Sequence, residues 1–392
     1  MDSKGGTVPT DWSLRVLEER AQEHLPREIV DYVSGGSEDE ATVWANEQAF
    51  GRYQFVPRVL ADISEPDQST TVVGQDLTLP VIIGPTSTQT IVCEDAERLA
   101  AVGARDAGTI YCLSTLSGTP LESVAEVGGL PWFQLYLMRD RSVSWQLLER
   151  AEACAYRAIV LTVDRPILGR RERDARNGLD PLAQFAYAHM DVGVGGDGSG
   201  SPLDGPIGWH DLEEVMKRTG LPVIVKGILH PDDAARALAL GASGVVVSNH
   251  GGRQLDHSVA SLDALAPIVE RVGSEACVLL DGGIRRGTDV LKALALGARA
   301  VMLGRPTFWA LAVDPERGVF RMLDQLRGEL AVAMRLAGVP SLDAVPAGLL
   351  TDRLDGPPGM YTAYARFRNK YATAAPPATA TPPATATPGP GE

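Results

Sequence analysis

Basic side chains, cysteines and aromatic residues are all in short supply. The 392 residues carry 36 Lys and Arg against 50 Asp and Glu, a formal net charge of −14. A nucleic-acid binder shows the opposite balance, a basic patch or a basic domain, so nucleic acid is not an expected partner. The four cysteines (Cys93, Cys112, Cys154, Cys277) are widely spaced and form no Cys-x-x-Cys pair. That argues against a disulfide framework and for reduced thiols set among apolar residues. No cluster of Cys, His and carboxylates has metal-site spacing, so no metal is expected. No run approaches the ~18 apolar residues of a membrane span, and nothing near Met1 has the charged-then-apolar form of a signal peptide. A soluble, cytoplasmic protein with no membrane partner is expected. Finally, no Gly-x-Gly-x-x-Gly follows a strand-like run, which disfavours a Rossmann dinucleotide site.

What is present is a large apolar complement, 44% of the residues. A chain this long buries roughly three quarters of its unfolded surface, and its length fits two or three domains or one α/β barrel. Between residues 79 and 306 short apolar runs alternate with amphipathic stretches. Eight runs stand out: 79–85, 109–115, 131–137, 158–164, 222–228, 244–250, 277–283 and 300–306. Each is nearly continuously apolar, as strands of a parallel sheet covered by helices must be. Ala-Leu-Ala-Leu-Gly-Ala occurs at 237–242 and again at 293–298, each time feeding a run. Eight strands alternating with helices predict a (β/α)8 TIM barrel, with an open doubly wound sheet as the rival. Before it, Leu14, Val16, Leu17 and Ala21 have helical spacing behind an N-cap candidate at Asp11-Trp12-Ser13, which predicts a helical N-terminal cap. After it, residues 374–392 repeat Ala, Pro and Thr with almost nothing to bury, which predicts a disordered tail. One domain over 1–373 follows. The fourth and fifth runs are widely separated, and the intervening excursion, about 165–221, includes the Gly-rich stretch 193–200. Such loops in compact domains are lids or disordered segments, and a lid is expected.

The apolar runs end in polar residues that a core would not hold: Thr86 and Ser87; Ser114; Gln134 and Tyr136; Thr162 and Asp164; Lys226; Asn249 and His250; Asp281; Arg305. In a barrel all eight ends meet on one rim and build one site. Asp281-Gly282-Gly283-Ile284-Arg285-Arg286-Gly287 and Gly304-Arg305-Pro306 follow the last two runs, where barrels hold phosphate. Of six histidines only His250 ends a run, where it could act as a base near neutral pH. Asp164 could reach it, and Arg253 could grip a carboxylate bidentately. Gly169-Arg170-Arg171-Glu172-Arg173-Asp174 could supply a second clamp.

These residues carry a resemblance. Ser248 to Asp256, Asp281 to Val290, Gln134-Leu135-Tyr136, Leu161 to Asp164 through Gly169-Arg170-Arg171, and Val225-Lys226-Gly227 resemble, in order, the FMN-dependent (S)-2-hydroxy acid oxidases and dehydrogenases. The resemblance covers roughly 25–347 and includes glycolate, lactate and mandelate enzymes. It implies FMN as cofactor, a small 2-hydroxy acid as substrate, oxygen as the expected acceptor and a homo-oligomer, a tetramer. It also implies that His250 takes a proton while Asp164 stabilises its charged form. Arg171 and Arg253 would bind the substrate carboxylate, and Tyr32 and Tyr136 would hydrogen-bond the substrate. Lys226 would lie at the flavin N1 and O2 edge. Ser114, Gln134 and Thr162 match ring contacts; Asp281, Arg285, Gly304 and Arg305 match ribityl and phosphate contacts. Thr86, Ser87, Ser248 and Gly283 complete the expected cofactor set.

Two departures bear on chemistry. Ser87 stands where the family usually carries Ala or Gly beside the flavin, a position that affects reaction with oxygen. Leu116 stands where glycolate-type members carry tryptophan, which leaves room for a mandelate-like side chain. The membrane-bound members' apolar insert is missing. The rivals are a dehydrogenase using another acceptor, a non-redox isomerase on the same barrel, for which two carboxylate-gripping arginines have no obvious use, and a non-catalytic flavin binder, which His250 and Arg253 oppose.

Overall fold

The computed structural model of the chain describes residues 12–189, 201–203, 205–274, 276–346 and 348–352. The Gly-rich stretch 193–200 and the tail 374–392 lie outside the described residues. Met1–Thr351 groups into one compact unit and Asp352–Glu392 into a second, of which only the first residue is described.

Each of the eight apolar runs forms a strand: β1 Val81–Ile83, β2 Ile110–Ser114, β3 Leu130–Leu135, β4 Ile159–Thr162, β5 Val223–Ile228, β6 Gly244–Val247, β7 Val278–Asp281 and β8 Ala300–Leu303. They pair in sequence order, and β8 returns to pair with β1 in parallel, with Val301, Met302 and Leu303 opposite Val81, Ile82 and Ile83. That pairing closes the sheet into a barrel and removes the open-sheet alternative. The strands look continuously apolar because both of their faces are buried, and the period-two alternation of a strand sorts them into two cores. Val81, Leu113, Phe133, Leu161, Val225 and Leu280 pack with the surrounding helices. Ile82, Cys112, Trp132, Val160, Ile224, Val246, Leu279 and Met302 form a separate cluster inside the barrel. A hairpin of Thr70–Val72 and Gln75–Leu77 adds Val72 and Leu77 to that inner cluster, and Gln75 Oε1 accepts from Trp132 Nε1 at 3.1 Å.

The repeated hexapeptide is a helix stop. Helices Pro231–Ala239 and Gly287–Ala295 end into Gly241 and Gly297, at φ 110° and 100°, a backbone region that side chains resist. Ala242 and Ala298 donate back to the carbonyls of Ala237 and Ala293 at 3.1 and 3.0 Å, which closes the last turn and aims the chain into β6 and β8. A second glycine signal lies inside β5. Its register against β6 shifts between Lys226 and Ile228, and Gly227 sits there at φ 108° with the Asp164 side chain against it. A Cβ at 227 would come within 2.5 Å of Asp164 Cβ. The bulge thus makes room for a carboxylate at the rim.

Three helices precede the barrel: α1 Leu14–His24, α2 Arg27–Ser34 and α3 Ala41–Phe50. Pro26 stands at the N-cap of α2, whose fixed φ suits a helix start, and Gly35 follows its C-terminus. Ser13 does occupy the N-cap of α1, but its side chain makes no capping bond; it is buried instead. The cap helices pack at the rim, α1 against the helix Arg305–Val313 and α3 against the His250–Gly252 turn. Between β4 and β5 the described residues of the excursion include two short helices, Glu172–Arg176 and Pro181–Gln184, before Trp209–Arg218 resumes the barrel pattern. All four cysteines are free thiols, with Cys112 fully buried. Among the described residues no helix is long and apolar enough to cross a membrane, and no group of side chains could hold a metal ion.

Candidate active site

The strand ends open into a cleft of about 1250 Å³, its solvent-facing mouth included. Thr86, Ser87, Ser114, Gln134, Tyr136, Thr162, Lys226, His250, Asp281 and Arg305, drawn from all eight strand ends, line it. Tyr32, Leu116, Arg171, Arg253, Gly283, Arg285 and Gly304 line it as well. Two expected residues stand one layer back: Asp164 behind His250, and Ser248 behind Lys226. Asn249 is structural, bonding Asn46 of α3 at 2.9 and 2.7 Å.

His250 is held in an uncommon backbone state. Its φ is 59°, which costs a non-glycine residue on the order of 1–3 kcal/mol, and its N–H donates to Ser248 Oγ at 3.0 Å. The turn aims Nδ1 at Asp164 Oδ1, 2.9 Å away, and leaves Nε2 facing the cleft, 3.4 Å from the Tyr136 hydroxyl. An ionised Asp164 accepts the Nδ1 proton and so presents Nε2 as the free base. Burial holds His250 below the ordinary histidine range, with Lys226 and Arg171 acting the same way and Asp164 opposing them. Burial works to raise the Asp164 carboxyl, but the charge and hydrogen bond of His250, with Lys226, more than offset it and hold it below the usual range. The pair is therefore a neutral imidazole oriented by a carboxylate at neutral pH.

The cleft is rich in cations, and among the described residues two of them, Arg253 and Arg305, make no ion pair. Arg253 Nη1 donates to the carbonyls of Tyr32 and Gly35 at 2.6 and 3.0 Å, and its guanidinium lies over the Tyr32 ring at 4.9 Å. Arg305 donates to the carbonyls of Val33 and Gly35 at 3.0 and 2.8 Å. Burial, then the charge of Arg171, pull Arg253 down to about 10; burial, then Arg253 and Arg285, pull Arg305 down to about 9. Guanidinium groups keep their protons, so this strain is relieved by anions instead. Arg285 differs, since Glu47 accepts from its Nη2 at 2.9 Å. Lys226 donates to Ser248 Oγ at 2.9 Å and pairs with Asp281 Oδ2 at 3.1 Å. Burial opposes its charge, but Asp281, Asp164 and Tyr136 together raise it above an ordinary lysine.

The profile of the FMN-dependent dehydrogenases matches residues 21–352. The chain belongs to that family. It is 45% identical over 350 residues to an L-lactate oxidase of Nostoc sp., covering 85% of this chain and 96% of that protein. It is 44% identical over 342 residues to a 4-hydroxymandelate oxidase of Amycolatopsis orientalis, with the same coverage, 85% and 96%. A solved structure of mandelate oxidase with benzoyl-formic acid superposes with a TM-score of 0.81 at 44% identity, covering 88% of this chain and 98% of that one.

The cleft fits the family's cofactor on its own evidence. Gln134 Nε2, Thr162 Oγ1, Asp281 Oδ1 and Arg285 Nε are buried and have no hydrogen-bond partner among the described residues. All four belong to residues that line the cleft, and orphaned buried polar atoms are costly. A group with carbonyl, ring-nitrogen and hydroxyl functions, such as FMN carries, would meet the missing acceptors and donors, and a phosphate would suit Arg305.

Sequence reasoning missed part of the wall. Arg165 is buried and lies 5.6 Å over the Tyr136 ring. Leu168, Pro181, Leu182 and Tyr187, all from the excursion, line the cleft beside Leu116. Arg165 sits next to Asp164 and could have been marked for that reason; the others carry no local signal.

Proposed function

We propose that this FMN-dependent enzyme oxidises an (S)-2-hydroxy acid to the 2-oxo acid, with oxygen as acceptor and hydrogen peroxide as second product. The observation that carries this reading is that a carboxylate-oriented imidazole, His250, lines the same cleft as Arg253, which has no ion-pair partner among the described residues, and Arg171, whose ion pair with Asp174 is stretched to 3.9 Å. A base beside a carboxylate clamp suits removal of a proton from a 2-hydroxy acid and gives an isomerase nothing to do.

In this reading Arg171 and Arg253 hold the carboxylate, which fixes the carbinol carbon against His250. Tyr32 and Tyr136 hydrogen-bond the substrate, and His250 Nε2 accepts the proton that leaves it. Asp164 stabilises the imidazolium that results. Bound FMN would supply a two-electron acceptor between substrate and oxygen; the hydroxy acid gives up two electrons and two protons and oxygen takes up both, so that hydroxy acid and O2 balance as 2-oxo acid and hydrogen peroxide. Lys226, fully charged, would sit where the reduced cofactor gathers negative charge. Ser114, Gln134, Thr162, Thr86 and Ser87 would contact the ring, with Asp281, Gly283, Arg285, Gly304 and Arg305 at the ribityl chain and phosphate and Ser248 acting through Lys226. The excursion 165–221 would act as a lid whose Leu182 and Tyr187 close the side-chain pocket.

The pocket favours a mandelate-like substrate. Leu116, Tyr136, Leu182 and Tyr187 line the cleft, backed by Met138 and Leu203 in one apolar cluster, a wall that suits an apolar substrate side chain. We further propose a cytoplasmic homo-oligomer. Four free thiols support a reducing compartment, and the exposed Val59, Leu60 and Leu255 support a subunit contact. Anaerobic mixing of the yellow protein with mandelate, lactate and glycolate tests the central reading: flavin bleaching by at least one is expected, and bleaching by none would overturn it.

A further inference from the structure

The two clamp arginines come from segments far apart in the chain, so something must set their spacing. Arg171 opens the helix Glu172–Arg176, whose five residues are too few to be stable without tertiary support. Arg253 ends the turn after β6. The link between α2 and α3 grips both backbones. Ser37 N donates to the Gly252 carbonyl at 2.9 Å, and Glu38 N donates to the Arg170 carbonyl at 2.9 Å. Two successive N–H groups therefore hold the residues immediately before Arg253 and Arg171.

Two acidic side chains lock that link to the Arg171 helix. Asp31 is 7% exposed; its Oδ2 accepts from Arg27 Nε at 3.0 Å and Asn177 Nδ2 at 3.1 Å, and Oδ1 lies 3.5 Å from Arg173 Nη1. Glu40 accepts from Gly36 N at 3.0 Å through Oε1, and its Oε2 pairs with Arg173. Arg173 is thus held from both sides, two residues from Arg171, while among the described residues Arg171 itself pairs with Asp174 alone, 3.9 Å away.

We propose that Asp31 and Glu40 are positioning residues that set the distance between Arg171 and Arg253, and hence the grip on the substrate carboxylate. The inference rests on the reading of those arginines as the carboxylate clamp. Neither acid lines the cleft, so each acts through Arg173 and the link. A displaced clamp weakens its charge-assisted hydrogen bonds to the anion, so affinity for the carboxylate falls first.

The test uses holoenzyme carrying Asp31→Ala, Asp31→Asn, Glu40→Gln or Arg173→Met. For Asp31→Ala, the KM for the hydroxy acid and the Kd for benzoylformate, read from the flavin spectrum, should each rise at least tenfold. Flavin content should stay unchanged and kcat within threefold. Asp31→Asn, which keeps one side-chain oxygen as acceptor for Arg27 and Asn177, should recover part of the loss. Arg173→Met should act in the same direction, and its combination with Asp31→Ala should be no worse than the poorer single variant, since both work through one contact. An unchanged Kd in Asp31→Ala would overturn the proposal. So would a joint fall of kcat, flavin content and melting temperature with Asp31→Asn, because that marks a purely structural role. The clamp reading fails separately, if wild-type holoenzyme neither oxidises 2-hydroxy acids nor binds benzoylformate.

Discussion

Replacing Asp164 by asparagine removes one charge and leaves the shape of the site intact. In the wild-type protein the carboxylate lies 2.9 Å from His250 Nδ1, and the imidazolium that forms as substrate loses its proton gains from that neighbour. With charge centres about 4 Å apart and an effective dielectric near 20, the attraction is about 4 kcal/mol, equivalent to roughly a thousandfold in rate. Proton transfer is only partial in the transition state, so the loss should fall between about 30-fold and 1000-fold. The imidazole tautomer also loses its fixed acceptor, which pushes in the same direction. The pH dependence has a definite sign. His250 works as the neutral base, and burial already holds it below the ordinary histidine range. The wild-type rate should therefore rise with pH up to a value below about 6.5 and stay level above it. In the asparagine variant the charged imidazole loses its partner, so that rise should move to still lower pH. Anaerobic rapid mixing, following loss of the oxidised-flavin band, reads the step directly, and benzoylformate titration shows that the clamp is unaffected. A variant reduced within threefold of the wild-type rate would refute the assignment of His250 and Asp164 as a working pair.

Arg171→Met should lower kcat/KM for 2-hydroxy acids by about 10²-fold or more while FMN stays bound; steady-state kinetics beside a flavin spectrum checks this, and normal kinetics would remove Arg171 from the clamp. Leu116→Trp should narrow the cleft beside Tyr136, Leu182 and Tyr187 and reverse a preference for mandelate over glycolate in kcat/KM, with equal turnover of the two acids by the unmodified enzyme as the contrary result. His250→Asn should give a folded, yellow protein whose flavin reduction by substrate is slowed by roughly 10²- to 10⁴-fold, measured by the same rapid mixing, and near-normal reduction would place the base elsewhere.

The sequence alone determined the elements and most of the site. Eight apolar runs became eight strands because a strand buried on both faces must be apolar throughout, and the twice-used Ala-Leu-Ala-Leu-Gly-Ala fixed two helix ends through a glycine conformation that is local to six residues. The polar strand ends were legible for the same reason: a Gln134 or Lys226 at the end of an apolar run has no local use, and a barrel brings such ends together. Tertiary structure decided the rest. Closure of β8 on β1 joins segments about 220 residues apart, and no local pattern distinguishes it from an open sheet. Pairing of His250 with Asp164 depends on a bulge at Gly227 that only the register of β5 against β6 creates. The wall formed by Leu182 and Tyr187, and the lock of Asp31 and Glu40 on Arg173, arise where the excursion and the cap helices dock on the rim. Those residues look like ordinary surface or core positions in the sequence, because the information that makes them part of the site is a distance in space, set by packing between elements rather than by the chemistry of their neighbours in the chain.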